Sequence, residues 1–205
     1  MKIFGFPLSV FCLVSLCLPI SAQPTWHIIT VDSDGDEGYH CSLALDSANK
    51  PHIAYSRWYN PWGVDLKYAF YNGNSWDISV IINAYYSADE CSLALDSNNK
   101  AHISFYYYPY GIPYYLRYTN NVNGTWQFND VDSSGRYTAI AVDSLNHPHI
   151  AFAYDDINGL KYAEYNGTDW VVRWLIPSNG VVMEVTTLSP PILRIILIYP
   201  IARMP

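Results

Sequence analysis

Three histidines recur in the same sequence context and are the first residues to consider for chemistry. His52, His102 and His149 each follow an Asp-Ser pair by the same short interval. Three imidazoles could bind a metal ion, because histidine is the commonest metal-ligating side chain. Equivalent positions of a repeat, however, lie one per structural unit and not at a common point. We therefore predict that these histidines are structural, hydrogen-bonded near a turn, and that no metal or cofactor is bound.

A cluster of carboxylates near the N-terminus offers a second kind of chemistry. Asp32, Asp34 and Asp36 alternate along the chain as the acidic residues of calcium loops do. The bidentate acid that such a loop carries at its twelfth position is missing, since Leu43 stands there. The sequence favours a solvated turn, with calcium binding as the alternative.

Aromatic rings mixed with polar side chains form a third candidate site, in segments 56–65 and 106–115. Such rings on an exposed loop could stack on a sugar ring or a peptide. Alternatively, they merely cover the ends of the structural units. The candidate ligand-binding residues are Arg57, Trp58, Tyr59, Trp62, Tyr107, Tyr108 and Tyr110.

All of these residues belong to a unit that occurs three times, with core segments at 42–55, 92–105 and 139–152. Each copy holds four short runs of aliphatic and aromatic residues, separated by Asn, Asp, Gly and Pro. This punctuation is typical of strands and turns. Four strands in about 40–50 residues predict one blade of a β-propeller. Both faces of the strands are largely apolar, which predicts sheets covered on both sides.

The predicted fold is all-β, with antiparallel four-stranded propeller-type blades in a partial propeller at 23–180. Segment 26–31 matches the last strand of a blade alone, as expected if the N-terminus completes a final blade. Closed propellers typically have four to eight blades, so we expect an incomplete, open ring. The three complete blades are placed at 41–82, 91–131 and 138–176.

The connections between the strands differ in how strictly they keep their length. In the first blade we label the strands a (42–46), b (52–55), c (66–71) and d (76–81). The a–b and c–d turns have one length in every copy, whereas the b–c and d–a connections are shorter around the third copy. The b–c and d–a connections share one end of an up-and-down blade, here called the variable end. Variable loops usually carry specificity, so a ligand is expected there.

Residues 1–22 have the features of a signal peptide: a positive start, an apolar segment and a small-residue cleavage site near Ala22. The sequence thus predicts a secreted or cell-surface protein. With a net charge of −7, nucleic acid is not an expected partner. No later stretch reaches the ~20 apolar residues of a membrane span. Cys41 and Cys91 occupy equivalent positions, which should lie beyond the ~7 Å Cα limit of a disulfide, so both are predicted to be free.

The C-terminal tail, 181–205, abandons the repeat and is crowded with Ile, Leu and Pro. Back-translated and read from the third base of each codon, it permits Gly-Ser-Tyr-Asn-Ser-Leu-Ala-x-Asp-Ser and then Asn-Asn-Pro-His-Ile-Ser-Tyr. That order is the opening of a fourth unit. We therefore predict that the tail is an out-of-frame translation and that the intact gene encodes further blades.

The Leu-Ala-Leu-Asp-Ser, Pro-His-Ile-Ala-Tyr and Tyr-Asn-Gly-x-x-Trp segments resemble the β-propeller repeats of secreted bacterial proteins. Over residues 26–176 they are distantly similar to the sialidase and BNR-type repeat superfamily. Sialidase activity would imply an arginine triad and a Tyr–Glu pair, but the arginines here occupy unrelated positions of the unit. The prediction is a secreted, non-catalytic module that binds a carbohydrate or an extracellular protein at the variable end. The alternatives are a fragment of a propeller glycosidase or lyase, and a surface scaffold without a ligand.

Overall fold

The computed structural model describes residues 26–59, 63–83, 87–109, 114–154 and 159–176. The predicted signal peptide, the tail, Trp62 and Tyr110 lie outside these residues. The described residues form twelve strands and no helix. Accordingly, no described helix has the length and apolar character of a membrane span.

The strands form three separate four-stranded antiparallel sheets, each ordered as its strands follow in the chain, and no sheet closes into a barrel. This confirms the predicted propeller-type blades. The strands extend beyond the predicted segments because ladder pairing continues toward the variable end. Blade 1 contains β1 (Asp36–Leu45), β2 (Pro51–Tyr59), β3 (Gly63–Tyr71) and β4 (Trp76–Ile82). Blade 2 contains β5 (Ser87–Leu95), β6 (Ala101–Tyr108), β7 (Tyr115–Asn120) and β8 (Gln127–Asp132). Blade 3 contains β9 (Arg136–Val142), β10 (Pro148–Tyr154), β11 (Gly159–Tyr165) and β12 (Trp170–Ile176).

The repeated Asp-Ser-x-Asn sequence builds the turn between the first two strands of each blade. In blade 1, Asp46 Oδ1 accepts hydrogen bonds from the backbone N–H groups of Ala48 at 2.8 Å and Lys50 at 2.7 Å. Asn49 adopts a left-handed conformation (φ 59°), which asparagine tolerates better than most residues. Asn99 and Asn146 repeat this conformation in blades 2 and 3, which explains the constant length of the turn.

The hydrophobic core lies between the blades, as apolar residues on both faces of the strands predict. Leu66 of blade 1 packs in one cluster with Ile103 and Phe105 of blade 2. A second cluster joins Leu116 of blade 2 to Phe152 of blade 3. All five side chains are fully buried. Each blade is therefore stabilised mainly by its neighbours, as in other repeat proteins.

Residues 26–30 form no strand and are exposed. The sequence assigned this segment to the outer strand of a final blade. A strand needs a partner for its backbone N–H and C=O groups, and the described residues contain no fourth sheet. That pairing stays a prediction.

Candidate functional site

A pair of exposed aromatic rings marks the variable end of blade 1. Tyr39 lies where the β1–β2 register shifts between Glu37 and Cys41, and Trp58 lies near the end of β2. Their ring centroids are 5.6 Å apart in an edge-on arrangement, and the two residues are 58% and 44% exposed. An irregularity of this kind re-aims side chains at the end of a sheet. Sequence reasoning selected Trp58 and missed Tyr39, which lies outside the two aromatic-rich segments.

Arg57 is held by carboxylates beside this aromatic pair. Its guanidinium lies 3.6 Å from Asp34 and 3.5 Å from Glu37. A Cβ at Gly35 would approach Arg57 Nε to 3.4 Å, and the φ of +124° at Gly35 also favours glycine. The d–a connection thus packs closely on Arg57 and fixes its position, whereas the side chain of Trp58, the next residue of β2, points to the opposite face of the sheet.

Asp32, the first of the predicted calcium-binding residues, forms an ion pair with Lys67. Asp32 Oδ2 accepts hydrogen bonds from Lys67 Nζ at 2.5 Å and from Tyr55 Oη at 2.7 Å. Burial alone would raise the pKa of Asp32, but these hydrogen bonds outweigh it and lower the pKa to about 2. Lys67 Nζ also donates to Glu37 Oε1 at 2.9 Å. An ammonium group therefore sits where a calcium ion would have to bind Asp32.

The same ion pair recurs in blade 3, where Lys161 Nζ donates to Asp132 Oδ2 at 2.8 Å. Residues 31–35 and 131–135 share the sequence Val-Asp-Ser-x-Gly, the signal that could have identified this pair. Across the described part of the chain, no group of three His, Cys, Asp or Glu side chains has a geometry that could hold a metal ion.

Polar contacts bridge blades 1 and 2 beside the aromatic pair. His40 Nδ1 lies 2.6 Å from Asp89 Oδ1, and the Ser56 hydroxyl donates to the same oxygen at 2.7 Å. The Tyr39 ring packs edge-on against the His40 ring at 4.9 Å. His40 therefore connects the exposed aromatic rings to the blade junction.

The next junction, between blades 2 and 3, is bridged through Glu90. Its carboxylate accepts hydrogen bonds from Arg136 Nη2 at 3.0 Å and from the backbone N–H of Tyr137 at 2.8 Å. The Arg136 guanidinium also lies 5.0 Å from the ring centroid of Tyr106. A shallow depression of about 200 Å³ opens between the first strands of the blades and is lined by His40, Cys41, Glu90, Cys91, Tyr137 and Thr138.

The aromatic candidates of blade 2 are engaged with their own blade. The Arg117 guanidinium lies 4.5 Å from the ring centroid of the half-buried Tyr107. Tyr106 and Tyr108 both pack against Tyr114, each with ring centroids 5.7 Å apart. These rings are arranged as a packed cluster, unlike the exposed pair of blade 1. Nothing is described of the Tyr59 side chain.

The three repeated histidines are hydrogen-bonded near the turn, as predicted. His52 Nδ1 lies 2.5 Å from Tyr68 Oη, and its Nε2 lies 3.7 Å from Asp46. Burial lowers the pKa of His52, against the opposing effect of Asp46, and burial raises the pKa of Tyr68. The corresponding partners are Tyr118 and Asp96 for His102, and Tyr162 and Asp143 for His149. Sequence reasoning missed the tyrosines, although each follows Lys or Arg at one place of the repeat.

No protein-family model and no curated protein matches this chain. Several solved structures are similar to it, among them a fucose lectin and a sialidase. A fucose lectin from Kordia zhangzhouensis, in complex with methyl-fucoside, has 18% identity and a TM-score of 0.44, covering 65% of this chain and 97% of the lectin. The Hadza microbial sialidase Hz136 has 11% identity and a TM-score of 0.46, covering 67% of this chain and 36% of the sialidase. The three four-stranded antiparallel sheets of the chain agree with the propeller-type fold that the sequence predicts.

Proposed function

We propose that this protein is a secreted, non-catalytic module that binds carbohydrate at the variable end of blade 1. The observation that carries the proposal is the exposed Tyr39–Trp58 pair, which lies beside charged and hydrogen-bonding side chains. Isolated exposed rings are common on protein surfaces. Two adjoining rings at the end of a sheet, beside variable loops, form a contact area that favours a ligand.

The chemistry of the pair suits a sugar. Pyranose rings present apolar C–H faces that pack on aromatic rings, while their hydroxyl groups need hydrogen-bond partners. His40 packs against the Tyr39 ring at 4.9 Å and can supply a hydrogen-bond donor. Because the contact with Asp89 holds His40 in place, little side-chain entropy of His40 would be lost on binding.

The carboxylates around the pair support a binding role over a catalytic one. Lys67 contacts both Asp32 and Glu37, and Asp89 accepts hydrogen bonds from His40 and Ser56. A general acid in a glycosidase needs a raised pKa, whereas the hydrogen bonds from Lys67 and Tyr55 outweigh burial and lower the pKa of Asp32 to about 2.

A glycan array probed with the purified protein tests the proposal. We expect binding to a restricted set of glycans, and at least about tenfold weaker binding, or about 1.4 kcal/mol, for Trp58→Ala and Tyr39→Ala. Leu145→Ala is the control, because Leu145 is also an exposed hydrophobic residue but lies in the turn at the opposite end of blade 3. An array without binding, or binding that both ring truncations leave unchanged, would show that the proposal is wrong.

A further inference from the structure

Blade 1 exposes an apolar sheet face whose counterpart in blade 2 is covered. Leu43 and Leu45 are 63% and 57% exposed, and Cys41 beside them is also exposed. The equivalent Cys91 and Leu93 of blade 2 are only 8% and 6% exposed, because blade 1 packs on them. The repeat itself therefore shows what this face is shaped to contact: the opposite face of another blade of the same kind.

Blade 3 presents that opposite face without a described neighbour. In blade 1 the face consists of residues such as Ala54, Leu66 and Tyr68, all buried by blade 2. The equivalent residues of blade 3 include Leu160 and Tyr162, which are partly exposed. The two open faces of the described chain are thus the two halves of the interface that it forms twice internally.

Residue pairs that form contacts between blades within the chain recur at the open faces, where each residue lacks its counterpart among the described residues. Asn99 Oδ1 accepts from the Ser47 backbone N–H of the preceding blade at 2.9 Å, and its Nδ2 donates to Ser47 Oγ at 2.9 Å. Asn146 Oδ1 likewise accepts from the Ser97 N–H at 3.0 Å. At the open faces, the equivalent residues are Ser144 of blade 3 and Asn49 of blade 1, and no described residue makes this contact with either. Asn49 has the same left-handed conformation as Asn99 and Asn146.

A tryptophan–tyrosine contact between adjacent blades also has its equivalent residues at the two open faces. Trp126 packs edge-on against Tyr68 of the preceding blade at 5.2 Å, and Trp170 packs against Tyr118 at 5.1 Å. The equivalent residues at the open faces are Trp76 of blade 1 and Tyr162 of blade 3, and neither makes this contact with another described blade. Apolar area, the Ser–Asn contact and the Trp–Tyr contact therefore match at equivalent places of the two open faces.

We propose that a second copy of this chain covers these faces, with blade 1 of each copy docked on blade 3 of its partner. The new interface continues the two that exist within the chain. A head-to-tail contact either closes on itself or propagates as a filament. The described blades of two copies number six, within the range of closed propellers, so we infer a closed pair. The inference is independent of the proposed glycan site.

Sedimentation equilibrium over a range of protein concentrations tests the closed pair. We expect twice the chain mass for the wild type and a single chain mass for Leu43→Lys, which places a charge in the centre of the docked face. Val122→Lys is the matched control, because Val122 is an exposed apolar residue in the distant turn after β7, and it should leave the pair intact. A monomeric wild type, an open-ended series of larger species, or a Leu43→Lys variant that stays paired would overturn the inference.

Cross-linking tests the docking mode itself. One preparation carries Ser144→Cys and the other Asn49→Cys, both with Cys41→Ala to remove the exposed native thiol. Mixing them under mild oxidation should give a covalent heterodimer, and adding Leu43→Lys to the Asn49→Cys chain should abolish it. Replacing Asn49→Cys by Asn123→Cys, in an exposed turn at the far end of β7, should give none. A paired mass without the Ser144–Asn49 cross-link, in variants whose circular dichroism matches wild type, would refute head-to-tail docking.

Discussion

The tryptophan that follows the turn before the last strand of each blade provides a matched pair of variants. Trp76 contacts Tyr71 and Trp170 contacts Tyr165, in both cases with ring centroids 5.6 Å apart and planes at 56°. Within the described residues, Trp170 alone of the two also contacts a tyrosine of a preceding blade, Tyr118, at 5.1 Å. The difference between the two alanine variants therefore measures the contact between blades.

Truncating a packed tryptophan to alanine costs about 3–5 kcal/mol of stability, and an edge-on aromatic pair contributes about 0.5–1.5 kcal/mol beyond the buried area. The sequence, in which these tryptophans are equivalent, predicts the full cost at both positions. The structure predicts the full cost for Trp170→Ala. The loss for Trp76→Ala should be smaller by at least about 1 kcal/mol, because the ring–ring contact and the area of a preceding blade are missing.

Urea unfolding followed by far-ultraviolet circular dichroism measures both free energies, since tryptophan fluorescence would change with the substitutions themselves. The measurements belong in the Leu43→Lys background, where no second copy can cover Trp76. Equal losses at the two positions, or a greater loss at Trp76, would refute the assignment of Trp170 to a stabilising interface between blades.

Three further predictions concern pH, thiols and the gene. Burial lowers the pKa of His52 and His102 below the ordinary histidine value of about 6.5. The unfolded chain therefore binds more protons, and stability should fall as the pH drops below about 6.5. A flat unfolding free energy from pH 7 to 5 would contradict this. Cys41 is exposed, whereas burial raises the pKa of Cys91 to about 12. In the Leu43→Lys background, where no second copy covers Cys41, one thiol of residues 23–205 should therefore react with a thiol reagent in the native protein, and two should react after denaturation. No reactive thiol in the denatured protein would indicate a disulfide. Sequencing the locus should show that the alternative reading frame, which starts at the third base of each codon of 181–205, continues into further repeat units. Immediate stop codons in that frame would refute this prediction. In the longer polypeptide, a fourth blade would cover the blade 3 face that we assign to a second copy.

The sequence determined the architecture because the repeat is a local signal. Strands and turns within a blade depend on residues a few positions apart, such as Asp46 and the N–H groups of Ala48 and Lys50 that it binds. Because the same pattern occurs three times, each strand could be located from three aligned copies. The structural role of His52 followed from the same equivalence.

Tertiary structure alone decided which side chains meet across strands and blades. The contacts of His40 with Asp89, Asn99 with Ser47 and Lys67 with Asp32 join residues about 35 to 52 positions apart in the sequence. Strand alternation fixes only the face that a side chain occupies, whereas the packing of neighbouring sheets fixes its partner. For the same reason the sequence assigned Trp58 and Tyr107 to one kind of site. The exposed Trp58 lies at an open end of a blade, while Tyr107 is held beneath Arg117, because the rings differ in what their neighbours cover.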